Sequence, residues 1–525
     1  MTGWLVFAFL VATAALALIS KRLRIAYPIV FVVAGALLGF VPNLPRIELQ
    51  PELIFLIVLP IVLFSEAWTT DLAEFRRNLR PIGFLAIGLV VFTTVMVAAI
   101  AHTVIAGMSW VAALTLGAIV APTDAIAAES ISEEMAMPKR IVTIVSGESL
   151  VNDASALIIY RFAIAAGLSG TFVAGAVVPQ FFILSLGGIA VGLLVAIAVY
   201  WIQSQLRTRE LGDEVLVNVI NLMAPFASYL PAEALGVSGV LATVTCGIYL
   251  SRRSQILSPD ARIVGYSLWE MLTFLLNAFV FLLLGLQLHS VVVAVGHASL
   301  GRLVGYGFII SLAAIALRFI WVYPATYLPR LLSRRLRERD PSPPWQFPFV
   351  IGWCGMRGVV SLATALAVPA MFPSRNEIVF VTFCVIFATI VVMGLSLPKV
   401  IRILDVTDDG RMGQKEIEIR IKALESGLER LRELEPTFDS ELEWEVEGRI
   451  VDDYRHRIEH LSGHLKSAPS EGSGENAIDH RLQLEALGAE RDAIQQLRKR
   501  GEIPDEVYRH IERDLDLADA RLRSA

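Results

Sequence analysis

Cysteine is scarce in this sequence. The 525 residues hold three, Cys246, Cys354 and Cys384, far apart and each inside an apolar run. That spacing excludes a disulfide framework and a cysteine metal site, and leaves small buried residues as the expected role. Charge is scarce too. Charged residues make up 18% and the net charge is -5, so there is no basic excess to recruit nucleic acid. The N-terminus lacks the leading positive segment of a cleavable signal peptide. Gly3-Trp4-Leu5-Val6 begins an apolar run, and Lys21, Arg22 and Arg24 follow it. The expectation is a retained span that enters from outside.

Hydrophobic residues make up 55% of the chain and the mean hydropathy is +0.62, the composition of a polytopic membrane protein. Apolar runs of spanning length fall near 3–20, 26–41, 52–68, 82–107, 109–128, 141–167, 178–203, 214–230, 235–250, 266–288, 303–329, 347–371 and 376–398, which is thirteen. Alternate loops carry eighteen Lys and Arg residues, among them Arg76, Arg77, Arg80, Lys139, Arg140 and the cluster from Arg330 to Arg339. The other loops carry only Arg46, Arg302 and Arg375. Positive charge marks the inner face, so the N-terminus is expected outside and the C-terminus in the cytoplasm. Trp4, Trp68, Trp110, Trp201 and Trp345 lie near span ends, as interfacial anchors do.

With thirteen spans, spans 1–6 and 8–13 run in opposite senses and can form two inverted six-helix repeats. Span 5 contains Pro122 and its counterpart, span 12, contains Gly352, Gly355 and Gly358, so both are expected to be broken helices. The expected fold is all-α: a transmembrane domain over 1–400 and a helical cytoplasmic tail over 401–525. The tail is rich in Glu and Arg, with helical periodicity in 414–434, 440–464 and 476–500 and a Ser/Gly-rich break at Ser467–Gly474.

The stretch from Pro122 to Asp153 brings three carboxylates, Asp124, Glu148 and Asp153, to membrane depth in consecutive spans. A charge at the bilayer centre costs ~3 kcal/mol or more, so such acids point to function. Asp153 lies thirteen residues beyond Arg140, roughly 20 Å along the helix and near the midplane. Ser149, one turn earlier, shares its face. Together with Thr123, Asp124 and carbonyls freed at Pro122 they offer the oxygen ligands a monovalent cation needs. An acid here holds a proton or a cation but not both, and that competition suffices for exchange. Because Asn152 rather than a second acid adjoins Asp153, one cation per proton is expected.

Glu148 lies about 140° around the helix from Asp153 and is expected to pair with a buried arginine. Arg318 is the favoured partner. Arg357 is the alternative, or else holds the unwound centre of span 12. Glu66, near the inner end of span 3, is read as interfacial or as a cation access residue. Arg161 is expected to snorkel outward, Glu233 to be solvated, and His102 to be a satisfied buried histidine.

At Ala121-Pro122-Thr123-Asp124, Gly147-Glu148-Ser149-Leu150-Val151-Asn152-Asp153-Ala154 and Gly355-Met356-Arg357-Gly358 the sequence resembles the monovalent cation/proton antiporters, a family that includes bacterial sodium/proton antiporters and animal sodium/proton exchangers. The likeness covers about 1–400. It implies that Asp153 binds ion and proton, supported by Asn152, Ser149, Asp124 and the Thr123 backbone, with Glu148 paired to an arginine. It also implies electroneutral exchange and a homodimer in which a core domain moves against a dimerisation domain. The expected setting is the plasma membrane, and no cofactor is expected. Potassium in place of sodium is the first rival. A passive channel is another. An intramembrane aspartyl protease using Asp124 and Asp153 is a third, but its Gly-x-Gly-Asp setting is absent.

Overall fold

The computed structural model describes residues 2–42, 50–169, 174–209, 213–295, 297–406, 411–437, 439–466, 473–500, 502 and 505–523. Arg46 and most of the Ser/Gly-rich break of the tail lie outside these residues. Among the described residues all regular structure is helical, in two compact units, Met1–Asp408 and Asp409–Ala525.

The first unit contains α1 (Thr2–Leu23), α2 (Tyr27–Gly39), α3 (Pro51–Thr69), α4 (Leu79–Val104), α5 (Trp110–Val120), α6 (Ile126–Met135), α7 (Lys139–Ser169), α8 (Ala174–Thr208), α9 (Glu214–Ala234), α10 (Gly239–Arg252), α11 (Pro259–Val295), α12 (His297–Leu332), α13 (Gln346–Trp353), α14 (Val359–Leu366) and α15 (Arg375–Leu404). Eight described helices are long and apolar enough to cross a membrane: α3, α4, α7, α8, α9, α11, α12 and α15. The other five of the thirteen apolar runs are α1, the shorter helices α2, α5 and α10 of 13, 11 and 14 residues, and the run split between α13 and α14.

Both splits fall where the chain cannot continue a helix. Pro122 offers no N–H and separates α5 from α6. The second break runs from Cys354 to Gly358 and separates α13 from α14. The two breaks touch: the Asp124 N–H donates to the Met356 carbonyl at 2.7 Å.

Small residues let backbones approach closely, which packs helices where apolar surroundings supply little driving force of their own. A Cβ on Gly35 of α2 would lie 2.2 Å from the Leu282 carbonyl of α11, and one on Gly285 would lie 2.2 Å from the Val32 carbonyl. Gly188 and Gly192 of α8 pack in the same way against the Ser238 and Ala242 carbonyls. Two of the buried clusters are the largest. The larger gathers α2, α5, α7, α11, α12, α13 and α15 around Phe31, Leu116, Ile141, Phe281 and Ile386, and so surrounds the breaks. A second joins α3 to α8–α11 around Phe64, Trp68, Ala196 and Trp269.

The second unit has four helices, α16 (Arg411–Leu434), α17 (Glu441–Lys466), α18 (Ser473–Lys499) and α19 (Asp505–Arg523). The first three lie on the periodic stretches of the sequence. The fourth was not anticipated, being short and highly charged. It is held by the ring of Tyr508 under the Arg498 guanidinium, 4.4 Å away, and by Asp516 on Arg491 at 2.6 Å.

Candidate functional site

The helix α7 presents two polar faces, separated by its pitch. Ser149 and Asp153 lie one turn apart and both line a cleft of about 530 Å³. Pro122, Thr123, Asp124 and Gly358 from the two breaks line it too, together with Glu66 from α3. The wall beside Glu66 includes Ile54 and Val58, where α3 widens into a π turn. Such widened turns recur at functional sites.

Glu148 points elsewhere. Arg318 donates to both its carboxylate oxygens, at 2.5 and 2.8 Å, and both side chains are about 1% exposed. Thr123 Oγ1 donates to the same carboxylate at 3.0 Å. Arg318 also reaches the Ile351 carbonyl, so its charge serves the end of α13 as well. Room for it comes from Gly355, where a Cβ would lie 2.3 Å from Arg318 Cδ.

The polar side chains at the breaks match the helix ends they meet. Asp124 accepts from the Ile126 N–H at 2.9 Å and from the Val359 N–H, the first turns of α6 and α14. These are the positive ends of two half-helices. Gly358 permits this, because a Cβ there would lie 1.7 Å from Asp124 Oδ2. Arg357 does the reverse. It donates to the Val120 carbonyl at the end of α5 at 3.2 Å and to the Gly355 carbonyl just past α13, so a cation serves the negative ends, and it also reaches the Ala314 carbonyl within α12. Its backbone N–H donates to Thr389 Oγ1. Arg357 therefore holds the unwound centres and not Glu148.

Asn152 is fully buried and turns away from the cleft. Its Nδ2 donates to the Thr123 carbonyl at 3.0 Å and to Thr123 Oγ1 at 3.1 Å. It thus ties α7 to the break before Asp124, while its Oδ1 has no hydrogen-bond partner. Asp153 differs from both other acids of the motif. Among the described residues no donor lies within hydrogen-bond distance of its carboxylate, though it is only 7% exposed.

The sequence reading missed Asn277 of α11 and Ser361 of α14, which line the same cleft. Each is one polar residue in an apolar run, which leaves no short-range signal. Tyr27, whose hydroxyl is 3.5 Å from Asn277 Nδ2, and Glu129, which accepts from Ser146, lie in the same electrostatic neighbourhood. Arg161 and Glu233, read as separate surface groups, form an ion pair at 2.6 Å. The ring of His102 has Nδ1 2.7 Å from the Met108 carbonyl and stacks on Trp110, a structural placement.

A carboxylate without a fixed partner, in a cleft between two broken helices, is the arrangement of an ion carrier. Residues 6–402 match the transmembrane sodium/hydrogen exchanger family. The chain belongs to that family. It is 32% identical over 518 residues to an uncharacterized Na(+)/H(+) exchanger of Mycobacterium tuberculosis, covering 96% of this chain and 93% of the relative. It is 29% identical over 497 residues to a sodium, potassium, lithium and rubidium/H(+) antiporter of Bacillus subtilis, covering 91% and 72%. The fold is similar to that of the sodium proton antiporter MjNhaP1 from Methanocaldococcus jannaschii, with a TM-score of 0.59, 19% identity, and coverage of 76% of this chain and 97% of that one.

This exchanger is a multi-pass membrane protein that couples sodium and proton movement. It is a secondary transporter, not an enzyme. An acid such as Asp153 needs no cofactor for this task. It needs only to trade one monovalent charge for another and to be reached from each side in turn.

Proposed function

We propose that the chain exchanges one sodium ion for one proton at Asp153, electroneutrally and by alternating access. The observation that carries this reading is the contrast among three acids. Glu148 is neutralised by Arg318, Asp124 is bound to two half-helix ends, and Asp153 alone has no fixed donor. Ser149 and the Thr123–Asp124 break supply further oxygen ligands at the cleft, and Asn152 keeps that break in register. Glu66, which lines the cleft, serves cation access.

The proposed setting is the plasma-membrane bilayer, with thirteen spans in two inverted repeats, the N-terminus outside and the residues after 401 in the cytoplasm. The two largest buried clusters support a core domain moving against a second domain through which two copies form a homodimer. The test is dye-reported proton flux in proteoliposomes on addition of sodium, lithium or potassium. Sodium and lithium should move protons, and Asp153→Ala should abolish this while the protein still folds. Full exchange in Asp153→Ala would overturn the assignment. Potassium is the second reading, favoured by the range of ions in the name of the Bacillus relative. Equal rates with potassium would select it. Cation flux without proton movement would select a passive channel.

A further inference from the structure

Three helix ends meet away from the exchange cleft. Arg80 lies at the start of α4, Arg140 in the first turn of α7 and Arg330 in the last turn of α12. All three guanidinium groups converge on one carboxylate, Asp340, at 3.2, 2.7 and 2.6 Å. Three positive charges against one negative leave an excess of two. Arg330 is 4% exposed, and Arg80 keeps Nε and Nη1 buried with no hydrogen-bond partner. A buried guanidinium donor without a partner is costly, and the excess positive charge favours an anion such as a phosphate.

Immediately beside the arginines is a second cavity of about 520 Å³. Arg140 and Arg330 stand at one side, and Leu85, Ile141, Ile144, Val322 and Phe347 supply apolar walls. A free anion would satisfy the arginines but leave those walls bare. An amphiphile satisfies both. The helix ends also set the depth, because the first turn of one spanning helix and the last turn of another mark the headgroup level of the bilayer. Arg334, Arg335, Arg337 and Arg339 follow Arg330 directly, and such clusters attract anionic headgroups.

We propose that this is a site for one anionic phospholipid. Its phosphate binds at the partly exposed guanidinium groups of Arg80 and Arg140, Asp340 stays with Arg330, and the upper part of an acyl chain fills the cavity. The site is separate from Asp153 and the proposal does not depend on which ion is carried.

Thermal unfolding of the purified full chain in a neutral detergent tests it, with phosphatidylglycerol, phosphatidylcholine or inorganic phosphate added at equal concentration. Phosphatidylglycerol should raise the midpoint by about 3 °C or more, while the other two leave it unchanged. The increment should disappear in the double variant Arg80→Gln/Arg140→Gln. It should also disappear in Ala325→Phe, which fills the cavity and leaves the arginines in place. The readout is the lipid-induced increment, so a lower starting midpoint in a variant does not obscure it. An equal increment from phosphatidylcholine, an increment from inorganic phosphate alone, or an increment that survives in both variants would overturn the assignment.

Discussion

A single methyl group at position 358 has no space. It would overlap the Asp124 carboxylate, whose two backbone bonds hold α6 and α14 together. Hydrogen bonds to a charged group contribute ~1.5–3 kcal/mol, so losing one should slow exchange by at least about tenfold. Gly358→Ala is therefore expected to express normally and to exchange sodium poorly in proteoliposomes. Wild-type rates would mean that Asp124 can move without consequence. The Glu148–Arg318 pair gives a prediction of stability. Removing one partner of a buried pair costs ~3–5 kcal/mol, whereas replacing both with apolar groups can be nearly neutral. The melting temperature of Arg318→Met should thus fall further than that of Glu148→Met/Arg318→Met, and the reverse order would count against a desolvated pair. That Glu148 and Asp153 face different ways was legible from helical phase, since five residues rotate a side chain by about 140°. Asn277 and Ser361 were not legible, because only tertiary packing brings α11 and α14 to the cleft.

At the scale of elements, the breaks were marked by Pro122 and by the glycines of the second break. What the sequence could not show was how the freed ends are satisfied. Asp124 takes two N-termini and Arg357 takes the carbonyl ends, a pairing between runs more than two hundred residues apart. Helix crossings were equally hidden, since glycine in an apolar run has no partner written beside it. Gly35→Leu should force α2 and α11 apart and sharply lower the yield of folded protein, measured as the monodisperse fraction in detergent. Unchanged yield would mean that the crossing is adaptable. The Asp340 node gives a pH dependence. Burial would raise this carboxyl, but the Arg140 hydrogen bond and the charges of Arg140, Arg330 and Arg80 outweigh it and hold the group below its ordinary value of 3.8. A depressed carboxylate stabilises the fold above its unfolded pKa, and that contribution is lost as pH falls through the folded value. Asp340→Asn should therefore melt below wild type at pH 7, with the gap narrowing as pH falls to 3.8 and beyond. A gap independent of pH would assign the effect to packing.

For the whole molecule, membrane character and the charge asymmetry of the loops are properties of many residues at once, so the sequence carries them strongly. Stoichiometry is different, because it depends on which acids change charge during a cycle. Glu148 is matched by Arg318, and Asp124 is held by two backbone N–H groups whose release would uncap two half-helices at once. On the proposed mechanism only Asp153 is free to alternate between proton and sodium, so each half-cycle carries the same charge. A membrane potential does ~2.3 kcal/mol of work per elementary charge per 100 mV, enough to shift a one-charge imbalance by about fiftyfold. Clamping proteoliposomes at zero or at 100 mV with potassium and valinomycin should therefore leave sodium-driven proton flux within about twofold. Glu66→Gln should slow exchange without making it sensitive to the potential, because Glu66 stands at the cleft wall and does not replace Asp153. If the rate follows the clamped potential, a second carboxylate changes charge in the cycle. Loss of that sensitivity in Glu66→Gln would then identify Glu66 as the carboxylate.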